Sequence, residues 1–494
     1  MLRNWDVSSV IIVEMEKKFY VTTAIPYVNG KPHIGHALEY FQADAIRRYR
    51  QLLGDKVLLL SGADENALKN VQAAEKEGLS TEEYLDKYSQ IWQDAYEKFG
   101  VHLDVFQRGS DRERHWPGVQ KLWQLCERSG DIYKKSYEGL YCIGCESFKT
   151  EAELVGGLCP DHQKKPEFIK EDNYFFKLSR YQEKLTQLIE SNELKITPDN
   201  KRAETIAFMK QGLQDFSISR SNERAKGVGV PIPGDDSQKM YVWFDALSIY
   251  ITGVGFGTDE ERYKKWWPAD VHIIGKDINR FHTVYWPAML LSAGLALPKE
   301  ILIHSFINAE GGEKLSKSLG NSPDPFEIVD EYGLEPFRYY LLSQIPLSQD
   351  GNFSFERLRE VYTADLANGL GNLVARVAKL CEQINLYLDP TEITFDEEVS
   401  RSLQSFKFNE ALGSMWAKIH ELDKYLNDKK PWMIDENLAE ESERKADILS
   451  TAVEKIRNIA FNLQPFMPET AEKITEQFKG PKIASAPGLF PRLQ

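Results

Sequence analysis

The stretch Pro32-His33-Ile34-Gly35-His36 lies between an apolar segment, residues 19–25, and an amphipathic segment, residues 36–53. The first segment is typical of a buried parallel strand, and the second has the spacing of a helix with one apolar face. Two imidazoles and a glycine therefore fall where a strand passes into a helix N-terminus, a place that suits a phosphate. His33 and His36 could donate hydrogen bonds to an attacked phosphate, and Gly35 would let a flat base approach the backbone.

A second stretch with phosphate chemistry lies far downstream, at Lys314-Leu315-Ser316-Lys317-Ser318. It follows another apolar run, residues 301–307, and a loop with glycines at 311 and 312. A lysine pair on a glycine-hinged loop can close over a pyrophosphate and neutralise it as it leaves. Taken alone, this stretch is more often a solvated loop, and the histidine stretch alone is more often an ordinary turn. The functional interpretation therefore depends on both together.

In this order and at this separation, the two stretches resemble the signatures of class I aminoacyl-tRNA synthetases. Residues 24–30, 241–246 and 275–282 narrow the resemblance to the methionyl-tRNA synthetase family, and it covers the chain from about Lys17 to the end. The resemblance implies a methionine–tRNA ligase, an enzyme that activates L-methionine with ATP to methionyl-adenylate. Transfer to the 3′ end of tRNA(Met) would follow, with AMP and pyrophosphate as products.

The resemblance also implies the fold class. We expect an α/β doubly wound parallel-sheet catalytic domain of the Rossmann-like class I synthetase type, a connective insertion with a zinc knuckle, and an all-α helical bundle that binds the anticodon. The expected regions are an N-terminal extension at 1–16, the first half of the catalytic domain at 17–130, the insertion at 131–225, the second half of the catalytic domain at 226–322, a stem-contact linker at 323–360 and the helical domain at 361–494. Met15 is a plausible alternative start.

For the nucleotide, the resemblance implies that His33, His36, Lys314 and Lys317 are catalytic, with Mg²⁺ accompanying ATP. The implied ATP contacts are His33, Gly35, His36, Gly275, Asp277, Ser316 and Lys317. For Gly275 and Asp277, the sequence pattern itself also predicts a nucleotide contact. Gly275 and Asp277 come at the end of a predicted strand, residues 271–275, where a carboxylate can bind a ribose.

For methionine, the residues single out Asp64, at the end of a predicted strand over 57–65. Carboxylates there lie on the ligand face of a doubly wound sheet, although a helix N-cap is a competing interpretation. The resemblance implies that Asp64 holds the amino group. It also implies a pocket of Ala24, Ile25, Tyr27, Trp243, Ala246, Tyr250, Ile278 and His282, where aromatic rings suit a thioether but plain core packing is the commoner role. The chain reads Asp64-Glu65-Asn66-Ala67 where the family commonly shows Asp-Glu-His-Gly.

A metal site is predicted from two close ligand pairs, Cys142 with Cys145 and Cys159 with His162. This spacing is typical of tetrahedral zinc, and four protein ligands would leave no open position, so we expect one structural Zn²⁺. Coincidental cysteine turns are the alternative, and the resemblance to the family's zinc knuckle favours the metal. Cys126 and Cys381 stand alone in apolar surroundings and are predicted core residues.

Residues 350–354 are predicted to form a turn, and from residue 355 onward the sequence is almost wholly helical in pattern, with one helix expected from about Tyr362 to Leu386. Asn368, Asn372 and Arg376 recur every four residues and share one polar face. Such a face could read bases splayed from an RNA loop, although it is more often merely solvated. The resemblance implies that Asn372 and Arg376 read the anticodon and that Trp432 stacks on one of its bases.

Net charge, cysteine content and the length of the apolar runs restrict the class of protein to which the chain can belong. The 494 residues have a formal net charge of -14, which argues against non-specific binding to polyanions. Five cysteines are no disulfide framework, so we expect a cytoplasmic protein, and no run is long enough for a membrane span. We expect a monomer, since no C-terminal dimerisation domain is recognisable. A small nucleotidyltransferase and a non-catalytic RNA-binding paralogue are the rival functions. The zinc pattern and helical C-terminus speak against the first, and the intact histidines and lysines against the second.

Overall fold

The computed structural model describes residues 17–142, 147–160, 163–313, 315, 323–435 and 438–493. Its strands are β1 (Lys18–Thr22), β2 (Lys56–Ala63), β3 (Val105–Arg108), β4 (Ile132–Cys142), β5 (Ser147–Lys149), β6 (Glu167–Phe176), β7 (Lys195–Thr197), β8 (Phe216–Ser217), β9 (Ser219–Ser221), β10 (Pro231–Ile232), β11 (Asp235–Met240), β12 (Val271–Gly275), β13 (Glu300–His304), β14 (Ile307–Ala309) and β15 (Gly351–Phe353).

The α-helices are α1 (Ile34–Leu52), α2 (Leu68–Glu77), α3 (Thr81–Lys98), α4 (Trp116–Arg128), α5 (Gln182–Glu190), α6 (Asp199–Met209), α7 (Val242–Thr252), α8 (Glu260–Trp266), α9 (Trp286–Ser292), α10 (Pro325–Tyr332), α11 (Leu334–Gln344), α12 (Phe355–Val361), α13 (Asn372–Gln383), α14 (Glu397–Gln404), α15 (Phe408–Lys429), α16 (Ala439–Leu463) and α17 (Pro468–Phe478). Two π-helical segments, Phe281–Tyr285 and Tyr362–Gly371, precede α9 and α13. Within the described part of the chain, no helix is long and apolar enough to cross a bilayer.

The central sheet has six parallel strands in the order β3-β2-β1-β12-β13-β7. Strands β2 and β12 are apolar almost throughout because helices cover both faces, as is usual for parallel sheets. Alternate residues face opposite cores: Val21 packs with α1 and the C-terminal helices, and Tyr20 packs with α4 and α7. The predicted doubly wound architecture is confirmed.

The chain changes direction within this sheet at β1. It runs from β1 outward through β2 to β3, and later places β12 on the other side of β1, with Val21 opposite Val271. Ligands of such sheets bind outside the carboxyl ends of the strands at this switch point. The strands predicted over 57–65 and 271–275 are confirmed as β2 and β12, and the helix predicted over 36–53 is α1. The site is therefore expected above the ends of β1, β2 and β12.

The segment after α4 forms a second, antiparallel sheet in the order β5-β4-β6-β8. Strands β4 and β6 pair from Ile132 opposite Phe176 to Tyr141 opposite Glu167, so Cys142 ends a long hairpin arm. The chain then returns to the central sheet, because β7 pairs in parallel with β13. The edge strand of the central sheet thus comes from within the range expected for the insertion, 131–225.

The C-terminal part differs from expectation at two points. Residues 350–354, which we expected to form a turn, contain β15, and this strand pairs in parallel with β14. The composition Asp-Gly-Asn is typical of a turn, but the backbone N–H of Gly351 donates to the carbonyl of Phe306 at 3.0 Å and extends the segment. The helix expected near 362–386 is π-helical over its first ten residues and α-helical only from Asn372.

A buried ion pair joins the catalytic sheet to the helical domain. Asp44 of α1 lies 2.8 Å from the guanidinium of Arg338 of α11, and the two side chains are 0% and 1% exposed. Arg338 also donates to the carbonyls of Phe466 at 3.0 Å and Pro465 at 3.3 Å, at the corner between α16 and α17. The helix that begins at the histidine stretch is therefore fixed to the C-terminal bundle.

Removing one partner of this pair should be costly, because the other charge would remain buried without its counterion. We expect Asp44→Ala to lower the free energy of unfolding by about 3–5 kcal/mol. Urea unfolding followed by circular dichroism measures the effect. Glu360→Ala is the matched control, since this carboxylate pairs with Arg357 at the surface and should matter little. Equal midpoints for the two variants would contradict the assignment.

Candidate active site

The histidine stretch forms the N-terminus of α1. His33 is the N-cap residue, and its Nδ1 accepts from the backbone N–H of Gly35 at 3.1 Å. The backbone N–H of His33 in turn donates to Nδ1 of His36 at 3.1 Å, which closes a capping box made of two imidazoles. Their rings lie 3.7 Å apart between centroids. Both imidazoles are thereby held at the positive end of the helix.

Gly35 has a steric role in this turn. A Cβ atom at this position would lie 3.0 Å from Cε1 and 3.1 Å from Nδ1 of His33, which is too close without displacing the ring. On the other side, the edge of Trp92 meets His36 at 4.7 Å between ring centroids, and Trp92 donates to the carbonyl of Gly30 at 3.0 Å. His33 remains exposed and His36 half-buried, so the pair is open to a ligand.

Asp64 follows the end of β2 and is buried at 3% exposure. Its backbone N–H donates to the carbonyl of Pro26 at 2.9 Å, and its carbonyl accepts from the side-chain amide of Asn70 at 2.8 Å. The helix that follows begins with Ala67 as N-cap, without a side-chain cap. The alternative interpretation of Asp64 as an N-cap is therefore wrong, and the carboxylate lies at the end of the strand.

Glu65 anchors the same loop, a role that the sequence did not reveal. Its fully buried carboxylate accepts from the hydroxyls of Ser89 and Ser110, both at 2.5 Å, from the backbone N–H of Ser110 at 3.0 Å, and from Nε of Arg108 at 2.7 Å. Every donor comes from α3 or from the end of β3. The loop that carries Asp64 is thus tied to two neighbouring elements.

An aromatic wall stands beside this loop. Trp243, at the start of α7, stacks on Phe281 with ring centroids 3.8 Å apart and planes 5° apart. It meets Tyr27 edge-on at 6.4 Å and His282 edge-on at 6.3 Å. Among the predicted pocket residues, Ala246, Tyr250 and His282 are buried, and the half-buried ones are Ala24, Ile25, Tyr27, Trp243 and Ile278. Of the predicted pocket residues, the structure joins Tyr27, Trp243, Tyr250, Ile278 and His282 through direct contacts.

His282 is held neutral within this wall. Its Nδ1–H donates to the carbonyl of Ile278 at 3.0 Å, so Nε2 accepts from the hydroxyl of Tyr250 at 2.8 Å. Burial lowers the pKa of His282 to about 4 and raises the pKa of Tyr250 well above its usual value. Both side chains are therefore uncharged near pH 7. This part of the pocket is lined by two neutral rings whose polar atoms are hydrogen-bonded to each other.

The nucleotide side of the site contains a connection that the sequence did not reveal. Glu39 of α1 accepts from the backbone N–H of Ala24 at 2.8 Å and from Nε2 of His304 at 3.0 Å. Burial disfavours the charged imidazole, but the Glu39 carboxylate outweighs it and raises the pKa of His304. A Cβ at Gly275 would lie 2.9 Å from the Asp277 carboxylate. The ends of β1, β12 and β13 thus converge.

Several predicted site residues lie outside the described part of the chain. They are Lys314, Ser316, Lys317, Cys145 and His162. Of the predicted zinc ligands, Cys142 and Cys159 are described, and both are buried. Cys126 and Cys381 are confirmed as buried, and burial raises the pKa of each thiol to about 12. Among the described residues, no group of three or more His, Cys, Asp and Glu side chains could hold a metal ion.

The predicted anticodon residues lie on the helical domain. Asn372 is exposed at the first position of α13, one turn before Arg376. Arg376 forms an ion pair with Asp423 of α15, and its guanidinium lies 5.8 Å from the ring of Trp432, which is 44% exposed. An amide, a guanidinium and an open indole therefore share one surface.

Comparison with known proteins agrees with this arrangement. The family model described as "tRNA synthetases class I (M)" matches residues 19–166 and 161–378, and that of the anticodon-binding domain of tRNA ligases matches 394–492. The methionine–tRNA ligase of Clostridium acetobutylicum is 39% identical over 97% of this chain and 78% of its own length. That of Brucella melitensis biotype 1 is 40% identical over 94% of this chain and 92% of its own length.

Solved structures show the same similarity. Methionyl-tRNA synthetase of Mycobacterium tuberculosis in complex with methionyl-adenylate superposes with a TM-score of 0.89 at 36% identity, covering 96% of this chain and 100% of that one. The apo form of the same enzyme gives a TM-score of 0.84 at 33% identity, covering 97% and 99%.

The neutral state of His282 makes a pH-dependent contribution to stability. The unfolded imidazole titrates near 6.5 and the folded one near 4, so the unfolded state binds a proton first and stability falls as the pH drops from about 6.5 towards 4. At pH 5 the loss from this group is about 2 kcal/mol. We expect His282→Gln to reduce the difference between urea midpoints at pH 7 and pH 5. Equal differences in wild type and His282→Gln would refute the assignment.

Proposed function

The chain belongs to the class I methionyl-tRNA synthetase family, and from this membership we propose how its residues carry out methionine activation and transfer. As a member it is a methionine–tRNA ligase, an enzyme that uses ATP to join methionine to tRNA(Met). The residue roles that follow are proposals supported by the geometry described above.

One observation carries the proposal. The two imidazoles at the N-terminus of α1, the Asp64 carboxylate after β2 and the Gly275–Asp277 turn after β12 all lie at the carboxyl edge of the sheet, on both sides of the switch point at β1. Ligands of such sheets bind outside the carboxyl ends of the strands, so an amino acid and a nucleotide bound at this edge would lie next to each other. The arrangement supports an in-line reaction between them.

We place methionine between Asp64 and the aromatic wall. The ammonium group would pair with the Asp64 carboxylate, and the thioether would contact Trp243 and Tyr250, since sulfur interacts favourably with ring edges. The proposed lining is Ala24, Ile25, Tyr27, Trp243, Ala246, Tyr250, Ile278 and His282. Neutral His282 suits this role, because a charged imidazole would disfavour an apolar side chain.

We place ATP over the histidine pair. His33 and His36 would donate to the phosphates, Gly35 would allow the base to approach, and Gly275 and Asp277 would bind the ribose. Lys314 and Lys317, outside the described residues, are proposed to neutralise the leaving pyrophosphate, and Ser316, also outside them, is proposed to contact ATP. The family uses ATP with Mg²⁺ generally, and the ion would supply further neutralisation of the triphosphate.

The proposed chemistry needs no covalent nucleophile on the protein. The methionine carboxylate attacks the α-phosphorus, the bond to pyrophosphate breaks, and the methionyl-adenylate mixed anhydride forms. The 3′-terminal ribose hydroxyl of tRNA then attacks the carbonyl and releases AMP. The protein contributes orientation and hydrogen-bond donors aimed at the developing charge.

We propose one structural zinc at the end of the β4 hairpin, bound by Cys142, Cys145, Cys159 and His162. Cys142 and Cys159 fit the role because both side chains are buried, Cys142 being the last residue of β4. The N–H of Gln163 donates to the carbonyl of Cys159 at 2.8 Å, and the N–H of Cys159 donates to the carbonyl of Lys164 at 2.9 Å. These two backbone hydrogen bonds would fix the position from which the Cys159 thiolate binds the metal.

We propose that the helical domain reads the anticodon with Asn372, Arg376 and Trp432. Trp432 is open for stacking, and the neighbouring guanidinium and amide can donate to a base edge. A cytoplasmic location is also proposed, because charged tRNA is consumed there by translation.

The activity is tested by ATP–pyrophosphate exchange without tRNA, using each of the twenty amino acids in turn. We expect exchange with methionine alone. Exchange with a different amino acid would overturn the pocket assignment, and no exchange in folded protein would overturn the enzymatic function in favour of RNA binding. In the same assay, His36→Ala should lower kcat by about 10²- to 10³-fold, whereas the exposed His102→Ala should not.

The zinc proposal is tested by elemental analysis of purified protein. We expect about one zinc per chain, the stoichiometry of a closed four-ligand site, and its loss in the Cys159→Ser variant. Cys381→Ala is the matched control, because that buried thiol lies in the helical domain and should leave the metal content unchanged. Metal-free wild-type protein purified without chelator would refute the site.

A further inference from the structure

The loop after β2 is joined to α7 by a chain of side chains, half-buried at Asn66 and buried at Asp245 and His115. The side-chain amide of Asn66 donates to Oδ2 of Asp245 at 2.6 Å and to the carbonyl of Gly109 at 2.8 Å. The other carboxylate oxygen of Asp245 lies 2.6 Å from Nε2 of His115, and Nδ1 of that ring lies 2.7 Å from the hydroxyl of Thr252. Asp245 is 2% exposed and His115 fully buried.

Each member of this chain has a defined hydrogen-bonding direction. A carboxylate can only accept, so Nε2 of His115 and Nδ2 of Asn66 are both donors towards Asp245. Both hydrogens of the Asn66 amide are used, one on each acceptor. Replacing Asn66 by a side chain without donors would leave an oxygen of a buried carboxylate without this partner, which is costly in a low-dielectric interior.

The two ends of the Asn66–Asp245 bond lie close in sequence to two residues of the proposed methionine pocket. Asn66 is two residues from Asp64, and Asp245 is two residues from Trp243. The backbone of Asp64 is held independently by Pro26 and Asn70, and Trp243 is held by its stack on Phe281. The Asn66–Asp245 bond links the segment that carries Asp64 directly to the segment that carries Trp243.

We propose that Asn66 is a positioning residue for methionine, acting through Asp245 to hold the carboxylate of Asp64 and the ring of Trp243 at the separation that methionine requires. The inference rests on the proposed methionine site. It assigns Asn66 no contact with substrate and no part in the chemical step. We therefore expect substitution of Asn66 to change KM for methionine and to leave KM for ATP nearly unchanged.

The test is exchange kinetics of Asn66→Ala and of the isosteric Asn66→Asp, in which a second acceptor replaces the donor. We expect KM for methionine to rise about tenfold in Asn66→Ala, the loss of one hydrogen bond to a charged group, and further in Asn66→Asp because of repulsion between carboxylates. KM for ATP and kcat should change less than threefold. Asn200→Ala, at an exposed asparagine bonded to the carbonyl of Ser348, is the matched control.

A double variant that exchanges the two residues distinguishes a positioning role from a general loss of stability. In the double variant Asn66→Asp/Asp245→Asn, the amide and the carboxylate exchange places, so the bond between the two positions is restored while the bond to the Gly109 carbonyl stays lost, and the new amide oxygen can still accept from His115. We expect KM for methionine at least threefold below that of Asn66→Asp alone, a coupling that a double-mutant cycle reports. Additive losses, or equal rises in KM for methionine and ATP, would overturn the inference. An inactive wild type would instead refute the proposed function.

Discussion

The parallel pairing of β1 with β12 is the constraint on which the site depends. It joins Val21 to Val271 and Thr22 to His272 across about half the length of the chain. Because β2 pairs with the other edge of β1, three strand ends meet at one place only while this pairing holds. The histidines of α1, the Asp64 loop and the Gly275 turn lie in separate stretches of the sequence. Their proximity is entirely a product of sheet order.

Two pairs of histidines near the site lie in different environments, one accessible and one buried. His33 and the half-buried His36 stand at a helix N-terminus, where their hydrogen bonds fix the rings but leave them open to a ligand. His272 and His282 lie inside, where burial lowers the pKa of each and keeps the rings neutral. In the proposed roles, His33 and His36 would donate to phosphates, and neutral His282 would line the amino-acid pocket.

The sequence could predict the parts whose signal is local. Strands β2 and β12 are apolar runs of the right length, and α1 has a clear apolar face, so all three were predictable. Strands β7 and β15 were not, because Lys-Ile-Thr and Gly-Asn-Phe become strands only through partners distant in sequence. The same reason hides Glu39 and Asp44, which are charged residues on a helix that resemble a solvated face until their buried partners, His304 and Arg338, are known.

The departure from the family's usual pattern at residues 64–67 is also explained by partners rather than by local sequence. Position 66 faces a buried carboxylate and a backbone carbonyl, so the fold requires a hydrogen-bond donor there and not one particular side chain. A neutral imidazole has one N–H and could satisfy one of these two acceptors, whereas the amide of Asn66 satisfies both. Position 65 is more constrained, because four donors converge on one carboxylate, and an amide would place its own donors against some of them. The loop can therefore vary beside Asp64 while keeping its connection to α7.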